Sequence, residues 1–162
     1  MSPKLDRIDL KVLTQLQRNG RMSNVELAEL VGLSPSPYLQ RTKRLEGAGY
    51  IIGYGAQLDL VKLGAVVVGF TEMTLEDHRR SDFARFEAAL QGIDEVVGRQ
   101  LVRGGYDYLL KFVTRGGTHY QSIIEGMLDG GIRIEKYLSY IVIKTLIQKM
   151  GYPLTRPCGG GA

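Results

Sequence analysis

Apolar positions recur at helical spacing from the start of the chain, at Leu5, Ile8, Val12, Leu13 and Leu16, the pattern of one buried helix stripe. Asp6 is placed to cap that helix and Asn19-Gly20 to stop it. Ser23-Asn24-Val25-Glu26 then reads as a capping box, in which the serine oxygen takes a first-turn N–H and Glu26 reaches back. The second helix carries Leu27, Ala28, Leu30 and Val31 and ends at Gly32. A third begins in Ser34-Pro35-Ser36-Pro37. With Ser34 as N-cap, Pro35 is the first helical residue and Pro37 the third. First-turn amides have no carbonyl partner inside the helix, so proline loses little there. A start at Ser36 obeys the same logic. The helix should run to about Gly47, with Leu39, Thr42 and Leu45 on one face and Ser36, Pro37, Gln40, Arg41 and Arg44 on the other.

Beyond this point the period changes. Residues 50–58 suggest a small β-hairpin around Gly53 or Gly55, and 59–64 a linker. Residues 65–73 are strand-like, and Phe83, Phe86 and Leu90 mark a helix. Residues 96–102 and 106–113 read as strands joined by a two-residue turn at Gly104-Gly105. Tyr120, Ile123, Ile124, Met127 and Leu128 mark another helix, and 132–147 a long strand. The order β-α-β-β-α-β is the ferredoxin-like arrangement. The expected fold class is therefore α+β, a helix-turn-helix over 1–58, a linker over 59–64, a ferredoxin-like domain over 65–150 and a flexible tail over 151–162. Val66, Val68 and Phe70, with Leu109 and Ile143, offer more apolar surface than two short helices can cover, which predicts a dimer or larger assembly.

Composition narrows the picture a little. The 162 residues are 44% hydrophobic with a net charge of +4, enough for one ordinary domain or two small ones and mildly favourable to an anionic partner. The excess lies in residues 1–62, with nine Lys or Arg against six Asp or Glu, whereas 63–162 hold twelve against eleven. Cys158 is the only cysteine, so neither an internal disulfide nor a cysteine-based metal site fits, and a reducing cytoplasm is the expected location. The start, MSPKLDRIDL, has no long apolar run, which predicts no signal peptide, and the run at 65–70 is too short to span a membrane.

The helix-turn-helix carries the most specific chemistry. Its second helix should place polar and cationic groups in the major groove of double-stranded DNA. Ser34, Ser36 and Pro37 at the helix mouth, with Gln40, Arg41, Lys43 and Arg44 along it, form the candidate DNA-binding set. Arginine can pair bidentately with guanine, and glutamine with adenine. Gly104-Gly105-Tyr106-Asp107 is the second candidate. Amides freed at a glycine turn can meet a carboxylate and Asp107 an ammonium group, together suiting an amino acid. It reads equally well as a plain hairpin turn. His78 and His119 stand alone in sequence, no nucleophile lies in a catalytic motif, and Gly53-Tyr54-Gly55 lacks the third glycine of a dinucleotide loop. No catalytic residue, metal or cofactor is expected.

From "LDRIDLKVLTQLQRNGRMSNVELAELVGLSPSPYLQRTKRLEGAGYI" through "LVRGGYDYLLKF" to "YLSYIVIK", the chain resembles the leucine-responsive/asparagine-responsive (Lrp/AsnC, feast/famine) regulators. The resemblance implies a winged helix-turn-helix ahead of the ferredoxin-like domain, dimers through the sheet, assembly to octamers, and amino-acid effectors bound between dimers. It implies effector-binding roles for Leu101, Gly105, Tyr106 and Asp107, joined by Tyr140, Ile141 and Val142. Gly105 departs from the family's usual aspartate, which removes a charge near the pocket. Tyr38 stands where a smaller residue is common, and Thr42 where valine is. The expected function is transcription regulation of amino-acid metabolism. The alternatives are an architectural DNA-wrapping protein indifferent to small molecules, and a metabolic enzyme built on the ferredoxin-like domain.

Overall fold

The computed structural model describes residues 4–64, 66–146 and 151–154. They fall into two compact units, Met1–Gln57 with Leu146–Ala162, and Leu58–Thr145. In the first unit, α1 (Arg7–Arg18) is capped by Asp6, α2 (Asn24–Val31) by Ser23, and α3 (Pro35–Gly47) begins after Ser34 with proline in its first turn. Both α1 and α2 carry a reciprocal capping box, Asp6 with Asp9 and Ser23 with Glu26. Gly32 adopts φ 75°, which a side chain would resist, and this left-handed residue turns the chain from α2 towards α3. Val12, Leu13, Leu27, Ala28, Val31, Tyr38 and Leu45 form the core of this unit.

Three expectations for this unit need correction. Residues 50–58 form no strand. Ile52 is 99% exposed and Tyr54 instead donates its hydroxyl to Glu46 Oε1 at 2.7 Å, so no apolar face holds a second strand in register. The buried stripe of α3 is Tyr38, Thr42 and Leu45, while Leu39 is exposed. The tail is anchored where it is described. The Tyr152 N–H donates to Gln17 Oε1 at 2.7 Å and Leu154 packs on the core, while 155–162, with Cys158, lie outside the described residues.

The second unit opens with a short 3-10 turn (Leu60–Leu63) in the expected linker. It continues as β1 (Val67–Leu75), α4 (Arg80–Leu90), β2 (Val96–Leu101), β3 (Tyr108–Thr114), α5 (Gly117–Asp129) and β4 (Ile134–Ile141). The antiparallel sheet has the order β2-β3-β1-β4, the ferredoxin-like arrangement. Met73, Leu75, Leu110 and Phe112 alternate inward from the strands to meet Phe86 and Leu90 of α4 and Tyr120, Ile124 and Met127 of α5. Neither helix covers the opposite face, where Val68, Phe70, Glu72, Leu109 and Lys111 are half-buried and Leu138 and Tyr140 exposed.

The expected long last strand is shorter. β4 stops at Ile141, one further bond runs from the Val142 N–H to the Val68 carbonyl at 2.8 Å, and 147–150 lie outside the described residues. The turn at Gly104-Gly105 is also longer than two residues, because the strands end at Leu101 and begin again at Tyr108, with one further bond from the Val102 N–H to the Asp107 carbonyl at 2.8 Å. Asp107 explains this. Its N–H donates to the Met73 carbonyl at 2.9 Å and its Oδ2 accepts the Leu75 N–H at 2.8 Å, which draws the residue to the end of β1.

Candidate DNA interface and effector region

The phase of α3 decides what it can present. With Tyr38, Thr42 and Leu45 buried, a helical turn of about 100° per residue points Ser36, Gln40 and Lys43 away from the core. Pro37 and Arg44 flank that exposed stripe on one side and Leu39 on the other. Ser34 caps α3 by position without a side-chain hydrogen bond. The Tyr38 hydroxyl, fully buried, has no hydrogen-bond partner among the described residues.

Arg41 and Arg44 do not stand free on that face as the sequence suggested. Arg41 Nη1 lies 2.6 Å from Asp6 Oδ2 and 2.8 Å from Asp9 Oδ1, and Arg44 Nη2 lies 2.6 Å from Asp9 Oδ2. The Asp9 side chain is completely buried. Burial opposes ionisation of Asp6, but the Asp9 N–H and the Arg41 guanidinium outweigh it and hold its carboxyl below the usual range. The same two carboxylates push the Arg41 guanidinium further up. Asp9 lies on the apolar stripe of α1, three residues before Val12 and four before Leu13, and a lone carboxylate there was the overlooked signal that cations from elsewhere must come to it.

In the second unit, the candidate effector residues divide. Gly104 and Gly105 are exposed, and their amides make no hydrogen bond among the described residues. Asp107 is engaged, with His78 Nε2 at 3.1 Å from each carboxylate oxygen in addition to the Leu75 N–H. Neither histidine is isolated, since His119 Nε2 lies 3.3 Å from Glu95. On the open sheet face the Tyr140 hydroxyl donates to Glu72 Oε1 at 3.2 Å. Desolvation first, then Glu72, then the nearby Tyr106 push that phenol up.

Leu101 and Ile141 stand far apart in the sheet. Leu101 is aligned through Tyr108 and Met73 with Tyr137 on the far edge of the sheet. Strand spacings put those edges roughly 14 Å apart, and Ile141 lies another ~13 Å along β4. Both side chains are half-exposed or more.

Residues 5–52 match the winged helix-turn-helix DNA-binding family and residues 68–152 the Lrp/AsnC ligand binding domain. The chain belongs to the Lrp/AsnC family. Among its relatives, the transcriptional regulatory protein DoeX of Halomonas elongata is 43% identical over 88% of this chain and 90% of its own. The leucine-responsive regulatory protein of Haemophilus influenzae is 39% identical over 89% and 87%. A solved transcriptional regulator of Neisseria meningitidis in complex with L-Met superposes with a TM-score of 0.86 at 31% identity, covering 93% of this chain and 97% of that one. This Lrp/AsnC protein is accordingly a DNA-binding transcriptional regulator with a ligand-binding domain. Among the described residues, no helix is long and apolar enough to cross a membrane.

Proposed function

We propose that this chain regulates genes of amino-acid metabolism from the cytoplasm, without catalysis, by binding imperfectly palindromic duplex DNA as an assembled homo-oligomer whose affinity a free amino acid adjusts. The exposed stripe of α3 enters the major groove with Ser36, Gln40 and Lys43 foremost and Ser34 and Pro37 at the mouth. Two such helices in a two-fold dimer would lie about 34 Å apart, one turn of DNA. The open face of the sheet, apolar and uncovered, supports pairing of two copies, and further pairing to an octamer follows the family.

The single observation that carries the sensing half is the division of its candidate residues. The free amides of Gly104 and Gly105 suit a carboxylate, and Asp107 offers an ammonium partner shared with His78. Leu101 at one sheet edge and Ile141 and Val142 at the other are too far apart to close over one small ligand within one chain. Edges from two copies supply both halves. A ligand held there changes the relative stability of assembly states, and linkage carries that difference to DNA. The relative solved with L-Met supports an amino acid, and the apolar edges favour an aliphatic or aromatic side chain.

Calorimetry with the twenty amino acids tests this. At least one apolar amino acid should bind at millimolar concentration or below, and Asp107→Asn should weaken it. Uniformly silent titrations would instead support an architectural DNA binder, a reading favoured by the fact that Asp107 already has partners.

A further inference from the structure

The proposed entry of α3 into the groove leaves open which of its cations does the work, and the contacts inside the first unit bear on it. Arg41, Lys43 and Arg44 lie within one turn. Two of them converge on a carboxylate with no solvent exposure. Asp9 uses both oxygens, one on each guanidinium, and its Oδ2 also accepts the Asp6 N–H at 2.9 Å. Asp6 adds its second oxygen to Arg41 while its first caps α1 through the Asp9 N–H at 2.8 Å. Two carboxylates and two guanidiniums cancel, so the cluster carries no net charge for DNA to neutralise. Lys43 is exposed and has no carboxylate partner among the described residues.

We infer that Asp9 is a positioning residue of the DNA-reading surface, holding Arg41 and Arg44 as internal counter-ions against α1 and leaving Lys43 as the α3 cation that meets phosphate and Gln40 as the side chain that reads a base edge. The physical reason is an ordering of costs. A buried carboxylate stripped of its partners is left uncompensated, whereas an exposed lysine gives up only water to reach a phosphate. Drawing both arginines into the groove would strand Asp9, while Lys43 can move freely. The clamp also fixes the rotation of α3 about its axis, because Arg41 lies at the edge of the buried stripe. That rotation brings Ser36, Gln40 and Lys43 forward together. This inference rests on the reading of α3 as the groove-entering helix.

The salt dependence of binding to a mixed-sequence DNA duplex separates the roles, since each phosphate contact adds about −0.9 to the slope of log affinity against log salt. Lys43→Gln should make the slope shallower by about one, roughly a three- to fourfold smaller loss of affinity between 50 and 200 mM salt. Asp9→Asn should make it steeper by about one, because a released guanidinium becomes available to phosphate. Adding Arg44→Gln to Asp9→Asn should restore the parent slope. A merely structural Asp9 would weaken binding on mutation and could not steepen the slope. If Asp9→Asn fails to fold, Asp6→Asn carries the same expected sign, as asparagine caps a helix as well as aspartate does and one carboxylate, Asp9, is then left against two guanidiniums, so the cluster gains a net positive charge. A normal response to Lys43→Gln with no steepening in a folded Asp9→Asn or Asp6→Asn protein overturns the clamp alone. Unchanged slopes in Lys43→Gln and the clamp variants alike, with duplex binding retained, overturn the placement of α3 as well.

Discussion

The two units solve the problem of buried polar groups in opposite ways. In the first, a charged residue is buried and charged partners come to it, Asp9 meeting Arg41 and Arg44. In the second, hydroxyls are buried together, with Thr71 Oγ1 2.7 Å from the Tyr120 hydroxyl, which also bonds Ser139. The difference matches the tasks. An ion cluster ties α3 to α1 and neutralises two arginines of the helix proposed to meet a polyanion. A neutral hydroxyl cluster fastens α5 to β1 and β4 without placing charge behind a sheet whose other face is uncovered. The candidate DNA-binding residues of the first unit lie along α3 and its mouth, whereas the candidate effector residues of the second are spread over two sheet edges and the turn between β2 and β3.

The largest effect should come from stripping Asp9. Arg41→Ala with Arg44→Ala leaves a buried carboxylate without cations and should cost ~3–5 kcal/mol. Chemical denaturation followed by hydrogen exchange should show the loss in 4–57 and little change in 66–145. A loss spread evenly over both would mean that the ion cluster is not local to the first unit. Next is Tyr120→Phe, which removes the hydroxyl joining Thr71 and Ser139 and should cost ~1–3 kcal/mol in the second unit. Because this cluster is neutral, the cost should be the same at low and high salt.

The smallest effect separates the units by acid. The folded-state carboxyls of Asp6 and Glu26 lie below their ordinary values. In Asp6 burial is outweighed by the Asp9 N–H and Arg41, and in Glu26 the Ser23 hydroxyl and N–H are responsible. A depressed folded value contributes stability above the unfolded value, and that contribution is lost as pH falls through the folded one. The first unit should therefore lose stability below the ordinary carboxylate range. Glu26→Gln, which keeps the capping box, should blunt that loss in acid-unfolding curves.

Legibility in the sequence followed distance along the chain. The capping boxes, the glycine stop at Gly32 and the proline start of α3 are contacts among neighbours, and each was readable from residue spacing. The βαββαβ order was readable from the change of period. The phase of α3 was not, because Leu39 and Tyr38 are both apolar and only packing against α1 and α2 chooses between them. The engagement of Arg41 and Arg44 was missed for a related reason. Their partners lie more than thirty residues away, and local pattern scores an arginine on a polar face as solvated. The turn at 104–107 was shortened in the same way, since the pull of Met73 and Leu75 on Asp107 cannot be seen from the glycines. Residues 50–58 show the converse error, an alternation of apolar and glycine positions that looked like a hairpin but has no partner to pair with.

The central claim, a DNA-binding regulator whose sensing site needs more than one copy, meets its most direct test in one titration. Duplex DNA carrying an imperfect palindrome is titrated with the intact chain, with and without the apolar amino acid that binds most tightly, while light scattering follows assembly. The account predicts a shift in DNA affinity of about 5- to 150-fold, the range of a 1–3 kcal/mol coupling, together with a change in assembly. Equal DNA affinity with and without a saturating amino acid, or a full response from a species that scatters as a monomer, would contradict it.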